Sequence, residues 1–154
     1  MQTNKVRSVA SYADVVQSVD RPKLVSALSA AAVRAERELG CLIQVALDAE
    51  SGRQGERGGV APDGIEELAA AVAGAPGLRL DGLMTVAPLA GPYAGRQQAA
   101  FERLMEFSSS LRAAHPAANM VSAGMSADLE QAVAAGATHV RVGTAVLGVR
   151  PRLG

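Results

Sequence analysis

The sequence predicts an α/β fold built on a parallel sheet, and three observations carry that prediction. Short β-branched or apolar runs alternate five times with longer amphipathic stretches. The run Cys41-Leu42-Ile43-Gln44-Val45-Ala46-Leu47 is nearly continuous in apolar character, as expected of a parallel strand covered on both faces. The length, 154 residues with 49% apolar and 19% charged types, suffices for one compact domain or part of a larger one. Right-handed βαβ units then leave two architectures: an open doubly wound sheet, or an arc of a (β/α)8 barrel whose complete form takes about 250 residues. Pattern alone does not separate them.

The first strand is Val15–Val19, closed by Asp20 and followed by Pro22, a residue suited to a first helical turn. Leu24, Leu28, Ala31, Ala35 and Leu39 then recur at helical spacing, which predicts a helix running to Gly40. The second strand is Cys41–Leu47. A glycine- and charge-rich loop, Asp48–Gly59, follows; it lacks the Walker and dinucleotide spacings and reads as flexible and solvated. A helix is expected from Pro62 to about Ala73, and a third strand near Leu78–Met84. Phe101, Leu104, Met105 and Leu111 mark the next helix, which ends near His115-Pro116. The fourth strand, Met120–Ala123, leads into a helix around Asp128–Ala135, and the fifth, His139–Val142, into a short turn at Thr144–Leu147.

Composition excludes several function classes. Fifteen basic and fifteen acidic residues cancel, so there is no overall electrostatic footprint for nucleic acid or an anionic membrane. The single cysteine, Cys41, forms no intrachain disulfide and begins a buried strand, so it reads as core rather than nucleophile. No apolar stretch approaches the roughly 20 residues of a membrane span and the start has no signal-peptide core, so a cytoplasmic protein is expected. His115 and His139 have no Cys or acidic residue at a ligand spacing, which argues against a metal site.

Ligands of such folds bind beyond the carboxyl ends of the strands, and two post-strand segments stand out. In Ser122-Ala123-Gly124-Met125-Ser126, Gly124 allows close backbone approach, while Ser126 combines an N-cap hydroxyl with free amides that suit an oxyanion. Asp128 and Glu130 suit the helix dipole there but repel a phosphate placed close by. In Arg141-Val142-Gly143-Thr144, a glycine, a hydroxyl and the amides of a short helix make a phosphate cup, and neighbouring loops of this kind can clamp one phosphate between them. Each segment alone is more often plain turn chemistry, and Arg141 alone an ion-pair partner; their coincidence at the last two strands is the signal.

With those residues in view the chain resembles a known family. Gln2-Thr3-Asn4-Lys5, Gln17-Ser18-Val19-Asp20, Gly82-Leu83-Met84-Thr85, Ser122 through Glu130 and Val140-Arg141-Val142-Gly143-Thr144 occur in the same order in the YggS-like pyridoxal-phosphate homeostasis proteins, relatives of the alanine racemase barrel domain. The resemblance runs over essentially the whole chain. It implies a (β/α)8 barrel that carries pyridoxal 5′-phosphate on a lysine and buffers the cofactor without established turnover. Carried over by motif, Ser126 and the Met125 amide contact the phosphate, joined by Gly143 and Thr144; Arg141 faces the pyridine nitrogen, and Ser122 supplies a hydroxyl behind it. An arginine at that nitrogen keeps it unprotonated and weakens the ring as an electron sink, which suits a carrier. Arg57 falls near a loop position where many members carry a lysine.

The family pattern begins in this chain just after the family's third strand. Residues 1–154 are therefore expected to form the C-terminal five βα units, strands 4–8, of an incomplete barrel, with strands 1–3 and the Schiff-base lysine absent. Lys5 and Lys23, the only lysines, match neither the place nor the context of that residue. Met1 stands where the family usually has leucine, consistent with an internal codon read as a start. Five of eight strands leave the Val15 and His139 strands with unpaired edges, so self-association is expected. Two other readings remain at this level: a fragment of a racemase-like enzyme acting on amino acids, and a generic phosphate-binding α/β domain. A small-molecule cofactor is the partner expected, with no nucleic acid and no membrane.

Overall fold

The computed structural model describes Met1, residues 3–49 and residues 57–148. Five strands, β1 (Val15–Val19), β2 (Leu39–Val45), β3 (Leu78–Thr85), β4 (Met120–Met125) and β5 (His139–Arg141), alternate with helices. These are α1 (Val6–Tyr12) ahead of β1, then α2 (Pro22–Arg34), α3 (Ile65–Ala73), α4 (Gln97–Ala114), α5 (Leu129–Ala135) and α6 (Thr144–Leu147). All pairings are parallel, and the spatial order β1-β2-β3-β4-β5 equals the chain order.

That order decides between the two architectures. A doubly wound sheet reverses direction at a switch point and so carries helices on both faces. Here no reversal occurs, and crossovers of one hand put the four connecting helices, α2 to α5, on the same face. The sheet is also strongly curled. β1 and β4 would lie about 14 Å apart in a flat sheet, three strand spacings away. Yet Ser122 Oγ on β4 donates to Gln17 Oε1 on β1 at 2.7 Å, beyond the combined reach of those side chains without curvature. The five strands are an arc of a barrel, with β1 and β5 as its edges.

The convex face is buried by the helices. Val16, Leu39, Cys41, Ile43, Val45, Leu80, Leu83, Val121 and Ala123 form one core with Leu24 and Leu28 of α2, Leu68 and Val72 of α3, and Phe101 and Leu104 of α4. Alternation puts Gln17, Gln44 and Ser122 on the concave side, where polar side chains hydrogen-bond one another or nearby backbone. All seven residues of β2 are buried, as its apolar run requires. Gly82, at φ 151°, lies so close to β4 that a Cβ would sit 1.8 Å from the Met120 carbonyl oxygen; only glycine lets β3 and β4 pair here.

Several expected boundaries move. α2 stops at Arg34 rather than continuing to Gly40. The Arg37 amide donates to the Ala32 carbonyl at 3.0 Å and Glu36 to Val33 at 3.1 Å, a Schellman ending with Glu36 left-handed at φ 53°. Leu39 fits the helical spacing by coincidence and instead opens β2, which therefore runs Leu39–Val45, two residues earlier than Cys41–Leu47. β3 and β4 run on to Thr85 and Met125. α1 has no counterpart in the sequence reading; its signal is only Val6 and Ala10, four residues apart and both buried.

Most of the Asp48–Gly59 loop, residues 50–56, lies outside the described residues. Its last part is not a free solvated loop. Val60 donates to the Gln44 carbonyl at 2.8 Å and accepts from Ala46 at 2.9 Å, while Gln44 Nε2 donates to the Arg57 carbonyl at 3.0 Å. Residues 57–60 therefore dock on the end of β2, and the Arg57 side chain is exposed. Among the described residues no helix is long and apolar enough to cross a membrane.

Candidate functional site

The carboxyl ends of β4 and β5 carry two turns, and the fold brings them together. Met125, Ser126, Ala127, Arg141, Val142, Gly143 and Thr144 line one open groove of about 490 Å³. All five residues singled out from the sequence as cofactor contacts, Met125, Ser126, Arg141, Gly143 and Thr144, are among them. Distant in sequence, the two turns become neighbours because β4 and β5 pair with Met125 opposite Arg141.

The β4–α5 turn is closed from within. The Asp128 amide donates to the Met125 carbonyl at 3.1 Å, and the Met125 amide returns a bond to Asp128 Oδ1 at 2.7 Å. Asp128 is thus the residue before α5 but makes no cap bond to it. Its carboxylate reaches back to the strand end, and it engages the amide expected to meet a phosphate. Gly124, at φ 85°, lets the strand pass α5 so tightly that a Cβ would lie 2.5 Å from Ala132 Cβ.

Ser126 does not cap α5 either. Its hydroxyl accepts from the Gly143 amide at 3.3 Å and the Ala145 amide at 3.2 Å, across the groove. Two backbone donors of the β5–α6 turn therefore converge on one oxygen. Thr144, between them, is exposed.

Arg141 leaves the end of β5 and reaches across β4 to the end of β3. Nη1 donates to Ser122 Oγ at 2.7 Å and Nη2 to the Thr85 carbonyl at 2.8 Å. Both partners are neutral, so among the described residues this guanidinium has no direct carboxylate partner. Its burial lowers its proton affinity below the ordinary arginine value, with the more distant charge of Asp128 opposing that shift. A half-buried cation held by neutral acceptors keeps its remaining N–H donors and its charge for a further partner.

Sequence reasoning missed three contributors. Thr85 acts through its carbonyl, which carries no side-chain signal. Ala145 acts through its amide. Gln17 has a visible signal, a polar amide within the apolar run Val15–Val19, but its partner lies 105 residues away. Cys41 is core as expected: it is fully buried in β2, and burial with the nearby charge of Asp81 pushes its thiol up to about 12. The lining of the groove contains no lysine, and Lys5 and Lys23 are both exposed.

The family described as the alanine racemase N-terminal domain matches residues 1–151. The pyridoxal phosphate homeostasis protein of Mycobacterium tuberculosis is 42% identical over 159 residues, covering 97% of this chain and 58% of the relative. Its namesake in Escherichia coli is 35% identical over 150 residues, covering 97% of this chain and 62% of the relative. Among solved structures, PipY of Synechococcus elongatus with pyridoxal phosphate bound superposes with TM-score 0.82 at 31% identity, over 96% of this chain and 67% of PipY. An alanine racemase from Corynebacterium glutamicum, at 17% identity and TM-score 0.57, shares the fold. The chain thus spans about three fifths of the length of the curated relatives it matches. With nearly all of its residues matched, the chain belongs to the alanine racemase N-terminal-domain family, within the branch of the pyridoxal phosphate homeostasis proteins.

Proposed function

We propose that this chain supplies the phosphate and ring-nitrogen contacts of a pyridoxal 5′-phosphate carrier that serves vitamin B6 homeostasis without catalytic turnover. One observation carries the reading: two strand-end turns converge in a single groove beside a guanidinium whose own partners are all neutral. Ser126 Oγ occupies the place of an oxyanion, since two amides already point at it. Those bonds are long, at 3.2 and 3.3 Å, and a phosphate oxygen, a stronger acceptor, can share or replace them. Gly143 and Thr144 complete that side. Met125 contributes the backbone of the opposite turn, and use of its amide requires exchange of the bond to Asp128.

Arg141 has only donors, so a ring nitrogen facing it must accept and stays unprotonated. The cofactor, when bound, supplies an electron-withdrawing ring whose sink strength falls in that state. The residues present therefore fit the phosphate and the nitrogen of the group. Nothing in the groove lining fits its aldehyde, because Lys5 and Lys23 lie elsewhere.

The test uses pyridoxine 5′-phosphate, which has the ring and phosphate but no aldehyde. Saturable one-to-one binding of this ligand by the 154-residue chain is expected, weakened about tenfold or more by Arg141→Met. Borohydride reduction after loading with pyridoxal phosphate is expected to leave no stoichiometric adduct. Absence of binding would overturn the proposal, and a stoichiometric adduct on Lys5 would overturn its non-covalent form.

A further inference from the structure

The guanidinium of Arg141 is held by a chain of hydrogen bonds that begins on the far edge of the sheet. Arg141 Nη1 donates to Ser122 Oγ at 2.7 Å, and Ser122 Oγ donates onward to Gln17 Oε1 at 2.7 Å. Ser122 is fully buried, so water does not substitute for either partner. A hydroxyl has one proton and two lone pairs. With its proton committed to Gln17, Ser122 presents only lone pairs to Arg141. Without Gln17, the same proton is free to turn toward the guanidinium, where a donor would face a donor. Gln17 therefore fixes the direction of the whole chain, although it lies on β1 and Arg141 on β5.

We infer that Gln17 is a positioning residue: through Ser122 it orients the Arg141 guanidinium toward the ring nitrogen of the bound ligand, and as a neutral acceptor it leaves the full charge of Arg141 to that ligand. The inference rests on the role proposed above for Arg141. It adds a requirement that the groove itself does not reveal, because Gln17 does not line it. It also links curvature to recognition. The chain closes only when the arc is curled enough to bring β1 within reach of β4, so a flattened sheet loses the orientation of Arg141 along with its shape.

The experiment compares two probes on the full chain, pyridoxine 5′-phosphate and phenyl phosphate, which shares the phosphomonoester and lacks the nitrogen. Gln17→Leu is expected to reduce the preference for the pyridine about three- to tenfold, with phenyl phosphate affinity unchanged within about twofold. Gln17→Glu keeps the acceptor and adds charge. It is expected to retain the preference at neutral pH and to raise the protonation midpoint of the bound ring nitrogen by about half a pH unit or more, because a carboxylate offsets the guanidinium. Without ligand, the Nη resonances of Arg141 are expected to be resolved in the wild-type chain and averaged by rotation in Gln17→Leu.

Equal loss of both probes in Gln17→Leu would make Gln17 merely structural and overturn the inference. So would an unchanged preference, or a midpoint in Gln17→Glu equal to that of the wild type. Failure of the functional reading shows itself elsewhere, as a wild-type chain with no preference between the probes. In that case resolved Nη resonances that persist in Gln17→Leu would remove the positioning role as well.

Discussion

Two arginines at opposite ends of the sheet are held in opposite ways. Arg79, near the start of β3, meets two carboxylates: Nε and Nη2 grip Asp81 at 2.6 and 2.9 Å, and Nη1 meets Glu38 at 2.6 Å. Those bonds, Asp81 first, raise its proton affinity above the ordinary arginine value. Arg141, at the end of β5, has neutral acceptors and a lowered affinity. The first charge is internally balanced and joins neighbouring strands; the second is left open. The contrast follows the division of labour in barrels, where the carboxyl ends of strands bind and the amino ends stabilise.

Removing one charge from each end gives the sharpest test. Asp81→Ala is expected to destabilise the fold by about 2–3 kcal/mol, read as a lower urea midpoint at unchanged slope. The figure is below that for a wholly buried pair because Arg79 is half exposed. Binding of pyridoxine 5′-phosphate by the folded fraction is expected to persist. A loss of binding larger than the loss of stability would erase the distinction between the two ends.

The amino end also holds Cys41, whose thiol is kept protonated by burial and, second to it, by the charge of Asp81. Folded, it ionises near 12; unfolded, near the ordinary 9.0, so the unfolded chain binds fewer protons between those values. Stability therefore falls as pH rises through that window, by about 1 kcal/mol between pH 8.5 and 10. The check is the difference in urea stability from Cys41→Ala over the same range, a variant whose own thiol contribution is zero. A flat difference would show that the thiol is not held protonated.

A change of similar size and opposite sign is expected at the α2 ending. Glu36 occupies the left-handed position that Gly136 fills in the matching Schellman turn after α5, at φ 53° and 100°. Glu36→Gly is expected to stabilise by about 1 kcal/mol, or roughly 3 °C in Tm, with no change in ligand affinity. The smallest stability effect belongs to Arg141→Met, within about 1 kcal/mol of wild type in either direction, because removal of a desolvated cation offsets the lost bonds. Its binding defect makes it the reverse of Asp81→Ala. Destabilisation by Arg141→Met comparable to that of Asp81→Ala would mean that both arginines are structural.

The amino-acid sequence alone determined the alternation of strands and helices and the class of fold, because burial on both faces writes continuous apolar runs such as Cys41–Val45 and one-face burial writes the helical spacing of Leu24, Leu28 and Ala31. It also marked the two glycine and hydroxyl turns, since close backbone approach and hydroxyl-to-amide bonds call for those residue types. Local pattern was insufficient where two conformations share a period, as at Leu39, and where the signal was two residues long, as in α1. The tertiary structure decided the arc over the open sheet, because strand order is a property of pairing and not of any segment. It alone set Asp128 on the Met125 amide, Ser126 under the amides of the facing turn, and Gln17 behind Arg141. Each of those bonds joins groups that the chain's path brings together in space, and a hydrogen bond between residues 17 and 122 leaves no mark on the residues between them.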